Sequence, residues 1–216
     1  MRKYEFTGET RVLGEMVLHR IIRVEDGLVG GWIESEKNLS HEGSCFVYDK
    51  AMVYENARVM DNAEVRGMAR VFGYSCVYGD AKVFGKATIR EYSQVYGNAE
   101  IYDEALICGY AQVHGNAEVC GNAEVFQYAN IFGEALISDE AKVYGFSNVY
   151  NCAQITEEAR VFDFSCINGA YISGSVEVCG NAYIYEDKYI YGEGELKGVM
   201  YSNLTHDKTV MIGTSL

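Results

Sequence analysis

The chain has 216 residues, 23 glycines, no proline and a formal net charge of −13. That charge disfavours attraction to nucleic-acid phosphates. Seven cysteines without a CxxC or CxH cluster lack the usual zinc and thioredoxin signatures, and no apolar run reaches membrane-spanning length. The expectation is a chain with no metal, no cofactor, no nucleic-acid partner and no membrane contact, in a reducing cytoplasm.

Residues 1–44 are expected to form a β-rich cap. KYEFTG, TRVLGEMVL and HRIIRVEDG alternate as strands around a Leu13-Gly14-Glu15 turn. Trp32, the single tryptophan, is expected to seal the first coil, which starts near Asn38-Leu39-Ser40.

Twenty consecutive six-residue units run from Cys45 to Phe164. Slot one is Ala or Ser, with Cys45 as the exception, and slot three is always Val or Ile. Copies read AEVCGN, AKVFGK and AEIYDE. Alternation of period two marks a short strand with one buried face. Gly, Asn or Asp then supply a corner, because they tolerate positive φ. A short strand and a tight corner every six residues wind into a stacked coil.

A second period fixes the number of sides. Slot six is aromatic at Tyr74, Tyr92, Tyr110, Tyr128, Phe146 and Phe164, each eighteen residues from the last. Three hexads therefore make one turn, giving a triangular prism with an aromatic edge. About eight coils are expected in residues 45–193. The unit Ser165-Cys166-Ile167-Asn168-Gly169 has five residues, so the register should slip at the corner near Asn168 and Gly169. Residues 194–216 lose the hexad rule and read as a C-terminal cap or tail.

The head GGWIESEKNLSHEGSCFVYD, followed by many A-x-V-x-G-x units, is similar to a set of bacterial and phage-borne hexapeptide-repeat proteins, the YdcK-like transferase family among them. The resemblance covers most of the chain and implies an all-β, single-stranded, left-handed parallel β-helix. One departure stands out. The family usually places Gly directly after the aliphatic residue, whereas here Tyr, Phe or another large residue stands there and Gly follows. The transferase designation of that family rests on fold analogy.

Hexapeptide acyltransferases place a catalytic His near a loop that interrupts the repeats, beside a coenzyme or nucleotide-sugar groove between subunits. No loop interrupts residues 45–164 here. Among His19, His41, His114 and His206, only His114 lies on a coil face. It would be the base of a transferase, with Tyr78, Tyr96 or Tyr150 nearby.

The three faces differ. The first, the charged face, carries Glu64/Arg66, Lys82/Phe84, Glu100/Tyr102 and Glu118/Cys120. The second, the mixed face, carries Arg70/Phe72, Thr88/Arg90, Glu124/Phe126, Lys142/Tyr144 and Arg160/Phe162. The third carries Cys76/Tyr78, Gln94/Tyr96, Gln112/His114, Asn130/Phe132 and Asn148/Tyr150, with no formal charge over five coils. Charge depletion with Tyr and Phe is the composition of an interface core.

The leading expectation is a non-enzymatic β-helical binding protein acting through that face, as a homo-oligomer (dimer or trimer) or as the holder of a host protein. The resemblance to phage-borne proteins implies interference with a host factor, or sequestration of a nucleotide-like ligand whose base stacks on Tyr. The alternative is an acyl- or nucleotidyl-transferase with its site at a subunit junction.

Overall fold

A computed structural model describes residues 2–185, 188–198, 200–201 and 209–212. It is an all-β parallel solenoid. Each hexad contributes a strand at slots two and three, two residues long as in Gln94–Val95 and Gln112–Val113, and extended to slot four only in Asn148–Tyr150. These pair in parallel at a step of eighteen, Gln94 on Gln112 and Val95 on Val113. One face alone holds a nine-stranded ladder, so there are about nine turns instead of eight. The difference lies at the two ends, where winding continues with residues that do not obey the hexad rule.

The alternation is read out as burial. Slots one and three point inward: Ala111, Val113, Ala129 and Ile131 are fully buried. Serine in slot one keeps a partner, since Ser75, Ser93 and Ser147 hydroxyls each donate 2.8 Å to the slot-four carbonyl of the preceding hexad. A satisfied buried hydroxyl of this kind is structural. Even-slot amides donate to the following coil, as in Gln94 N to Ala111 O (2.9 Å), Tyr96 N to Val113 O (3.0 Å) and Asn98 N to Gly115 O (2.7 Å).

Slot five adopts positive φ in all twenty hexads, from Asp49 (56°) to Asp163 (59°). Half of these residues are not glycine, although the left-handed region costs a non-glycine residue about 1–2 kcal/mol. The side chain supplies an offset. Asp49 accepts a hydrogen bond from the Gly67 amide (2.9 Å), Glu55 from Gly73 (2.9 Å), Asp61 from Gly79 (3.0 Å) and Glu91 from Gly109 (2.8 Å). Each caps a corner N–H one coil further on.

The slip falls at the expected corner. Tyr150 still pairs with Asn168 at eighteen, whereas Gln154 pairs with Tyr171 at seventeen. Gly169 takes the corner conformation (φ 69°), slot six is absent, and Ile172 remains fully buried. Stacking runs on past Glu193: Ser175–Cys179 pairs with Glu193–Lys197, and Leu196 occupies a buried position.

At the other end, β1 (Tyr4–Leu13) and β2 (Met16–Arg23) form an antiparallel hairpin, and β3 (Val29–Ile33) pairs with β2 on one side and with Met52–Val53 of the coil on the other. Winding thus begins at β3, earlier than Asn38. Tyr4, Ile21, Ile33 and Phe46 join the interior cluster and plug the open coil; the Tyr4 hydroxyl donates to Leu39 O (2.9 Å). Trp32 does not seal the coil. In register with Met52, it packs outside the prism with Leu18, Met52 and Tyr54, fastening the hairpin to the mixed face. Ile33, its neighbour in the alternation, takes the inward position.

Candidate interaction face

The third face is assembled from slots two and four of every third hexad. Cys76, Gln94, Gln112, Asn130 and Asn148 stack in register. Two further rungs follow, Cys166/Asn168 at eighteen and Tyr183/Tyr185 at seventeen. The uncharged run is therefore seven rungs long. Restarting the count at Ala170 after the short unit recovers the last rung from sequence. Arg58 stands beyond Cys76 and bounds the run.

Slot four forms one continuous ring ladder, Tyr78–Tyr96–His114–Phe132–Tyr150, with centroids 4.6–5.3 Å apart and planes within 6°. The aromatic edge forms a second, Tyr74–Tyr92–Tyr110–Tyr128–Phe146–Phe164, at 4.8–5.3 Å. Its rings are 47–63% exposed. Between the two ladders lies the amide column Gln94, Gln112, Asn130 and Asn148. All the residues expected at the site, edge included, share this one surface.

Hydrogen bonds lace the columns together. Tyr78 and Tyr96 hydroxyls donate to Oε1 of Gln94 and Gln112, each at 3.3 Å. His114 Nε2 lies 3.1 Å from Asn130 Oδ1, and Asn130 Nδ2 donates to Asn148 Oδ1 at 3.4 Å. Tyr150 and Tyr183 hydroxyls are 2.9 Å apart. Burial pushes the phenols of Tyr78, Tyr96 and Tyr150 above the usual tyrosine value, so they stay neutral. Burial likewise pushes His114 below the usual histidine range, against the opposing pull of Asn130.

Two chemical consequences follow. His114 is flanked by Tyr96 and Phe132 and bonded to an amide. With no carboxylate to orient it, the geometry lacks a catalytic dyad. The ring faces are also consumed by their neighbours, so the ladder offers edges, not open faces, to an incoming planar base. What remains is a flat, neutral surface of ring edges and amides.

Among the described residues no group of His, Cys, Asp and Glu is placed to hold a metal ion, and all seven cysteines are unpaired. Among the described residues no helix is long and apolar enough to cross a membrane. No protein-family model matches the chain, and no curated protein matches it.

Proposed function

We propose that this protein is a non-enzymatic interaction module whose third face docks flat against the same face of a second copy. The observation that carries the reading is the seven-rung run without formal charge in a chain of net charge −13. Seven rungs at about 4.8 Å, and three columns about 7 Å apart, span roughly 30 by 20 Å. That is about 600 Å² of projected face per copy, close to the ~800 Å² per partner of a standard stable interface.

The chemistry favours self-pairing. Carboxamides carry both donors and acceptors, so a column of Gln and Asn can pair with an identical column. A cationic partner finds no carboxylate on this face, and the repulsion between two copies of net charge −13 is least where neither presents a formal charge. An isologous pair brings like against like, and only this face permits it without opposing charges. The hexad pattern also supports kinship with the hexapeptide-repeat proteins, in which the coil serves as a rigid frame.

Light scattering on the purified chain tests the reading. The wild type should run at twice 24.1 kDa, and Tyr96→Glu combined with Phe132→Glu should run at 24.1 kDa with an unchanged circular-dichroism spectrum. Raising salt should strengthen the pair, because it screens repulsion between two anionic bodies. A wild type of monomer mass at every concentration and salt tested rules the proposal out.

A further inference from the structure

Near the C-terminal end of the coil the charged face loses its bulk. Slot four runs Ser138, Thr156, Ser173 before closing at Tyr191, and slot two runs Gln154, Tyr171, Tyr189. A cavity of about 610 Å³ opens there, lined by Glu157, Tyr171, Ser173, Tyr189, Tyr191 and Glu193 around the Gly174 and Gly192 corners. A second cavity of about 560 Å³ shares Glu157, Gly174 and Ser175 and adds Asp139, Glu140 and Glu158.

Three independent features converge on the first cavity. The pair Tyr171–Tyr189 is splayed to 5.9 Å and 41°, whereas the long ladders keep their planes within 6°. Parallel stacking is therefore broken between this pair. Ser173 is only 6% exposed, and its hydroxyl, which bonds to no other described residue, is the part of it open to solvent, since no fully buried side-chain polar atom among the described residues lacks a partner. Glu140, Glu157, Glu158 and Glu193 have no ion-pair partner among the described residues. By contrast, Lys82 holds Glu100, Lys86 holds Glu104, Lys142 holds Glu124 and Arg160 holds Glu177, each across one coil.

We propose that this cavity is a binding site for a guanidinium group. A planar, weakly hydrated cation stacks on aromatic faces and presents five N–H donors. The cavity supplies the rings (Tyr171, Tyr189 and Tyr191), a solvent-facing hydroxyl acceptor (Ser173) and two carboxylates with no ion-pair partner among the described residues: Glu157, whose Oε2 also accepts from the Gly174 amide (2.7 Å), and Glu193. A compact ammonium could use the carboxylates but gains less from the rings, and a hard divalent cation gains nothing from them. The guanidinium belongs either to a free small molecule or to an arginine side chain of a polypeptide, and the same chemistry recognises both.

The test is calorimetric titration of the full chain with N-acetyl-arginine amide, a capped Gly-Arg-Gly peptide and N-acetyl-citrulline amide, the uncharged isostere. Both arginine compounds should bind saturably, and citrulline at least tenfold more weakly. Tighter binding of the peptide than of the amino-acid derivative assigns a polypeptide source; equal binding assigns a small molecule. Glu193→Gln and Ser173→Ala should each weaken binding about fivefold or more while leaving the melting temperature at or above that of the wild type. Absence of binding, equal affinity for citrulline, displacement by calcium alone, or indifference to both substitutions overturns the site. The face-to-face pairing stands or falls separately, since none of these residues lies on it.

Discussion

At the scale of single residues, the corners decide how firmly one coil sits on the next. A Cβ placed on Gly109 would lie 2.7 Å from the Gln127 amide nitrogen, at φ 69°. Gly109→Ala therefore combines left-handed strain with a backbone clash and should cost about 2 kcal/mol or more, read as a fall in melting temperature. Glu91 shows the opposite case, a side chain that makes its conformation worthwhile by capping Gly109. Glu91→Ala should lose about 1–2 kcal/mol. Glu91→Gln should lose less than half of that, because Gln127 already performs the same task for Gly145 (2.9 Å). Sequence gave the corner positions, but it did not give the capping. The target of each corner acid is a main-chain group eighteen residues away, which no side-chain pattern displays.

His114 adds a pH dependence at the same scale. Its imidazole is held below the ~6.5 of an unfolded histidine by burial. The unfolded chain then binds more protons than the folded one in the interval between the two values. Stability from this residue is complete above about pH 6.5 and declines as pH falls through that value towards the folded one. Thermal melts of wild type and His114→Gln, compared between pH 7.5 and 5.5, should converge towards low pH; parallel curves would exclude the effect.

Elements here are ladders, not individual strands. No two-residue strand is stable alone, and each is held by the rung on either side. Removing one ring from a stack should therefore be felt by two neighbours. Tyr110→Ala lies between Tyr92 and Tyr128 and should cost about 1–3 kcal/mol by loss of two ring pairs, with a drop in near-ultraviolet circular dichroism. Register was legible because slot three is always aliphatic, which fixes the inward face. The short unit after Ser165 was legible for the same reason: Ile167 and Ile172 are both fully buried, so only the corner could lose a residue. Inserting one Asn between Gly169 and Ala170 should restore the full hexad and leave the melting temperature nearly unchanged. Deleting Lys142 from its strand should turn Val143 outward and abolish cooperative unfolding.

For the whole molecule, what could not be read in advance lies where periodicity ends. The hairpin's docking depends on one tryptophan whose side of the sheet is set by pairing with Met52, and a cap has no repeat from which to infer that register. Trp32→Ala should loosen the hairpin by about 3 kcal/mol or more, seen as faster hydrogen exchange in β1 and β2 while the central coils stay protected. The uncharged face, in contrast, was legible almost entirely, since it is a property of slots. Two rungs beyond Asn148 escaped: Cys166/Asn168 because it belongs to the short unit, although it still stacks at eighteen, and Tyr183/Tyr185 because the one-residue slip shifts the count. The splayed cavity escaped because it arises from small slot-four residues next to a break in stacking, and ring tilt leaves no trace in a sequence.

Every corner carboxylate reaches towards the carboxyl terminus, from Asp49 to Gly67 and from Asp163 to Gly180. A nascent chain thus displays a finished ledge of even-slot N–H donors and corner carboxylate acceptors awaiting the eighteen residues still leaving the ribosome. Winding should advance with translation, layer upon layer, and a molecule pulled from its two ends should shed layers from the last-made end first.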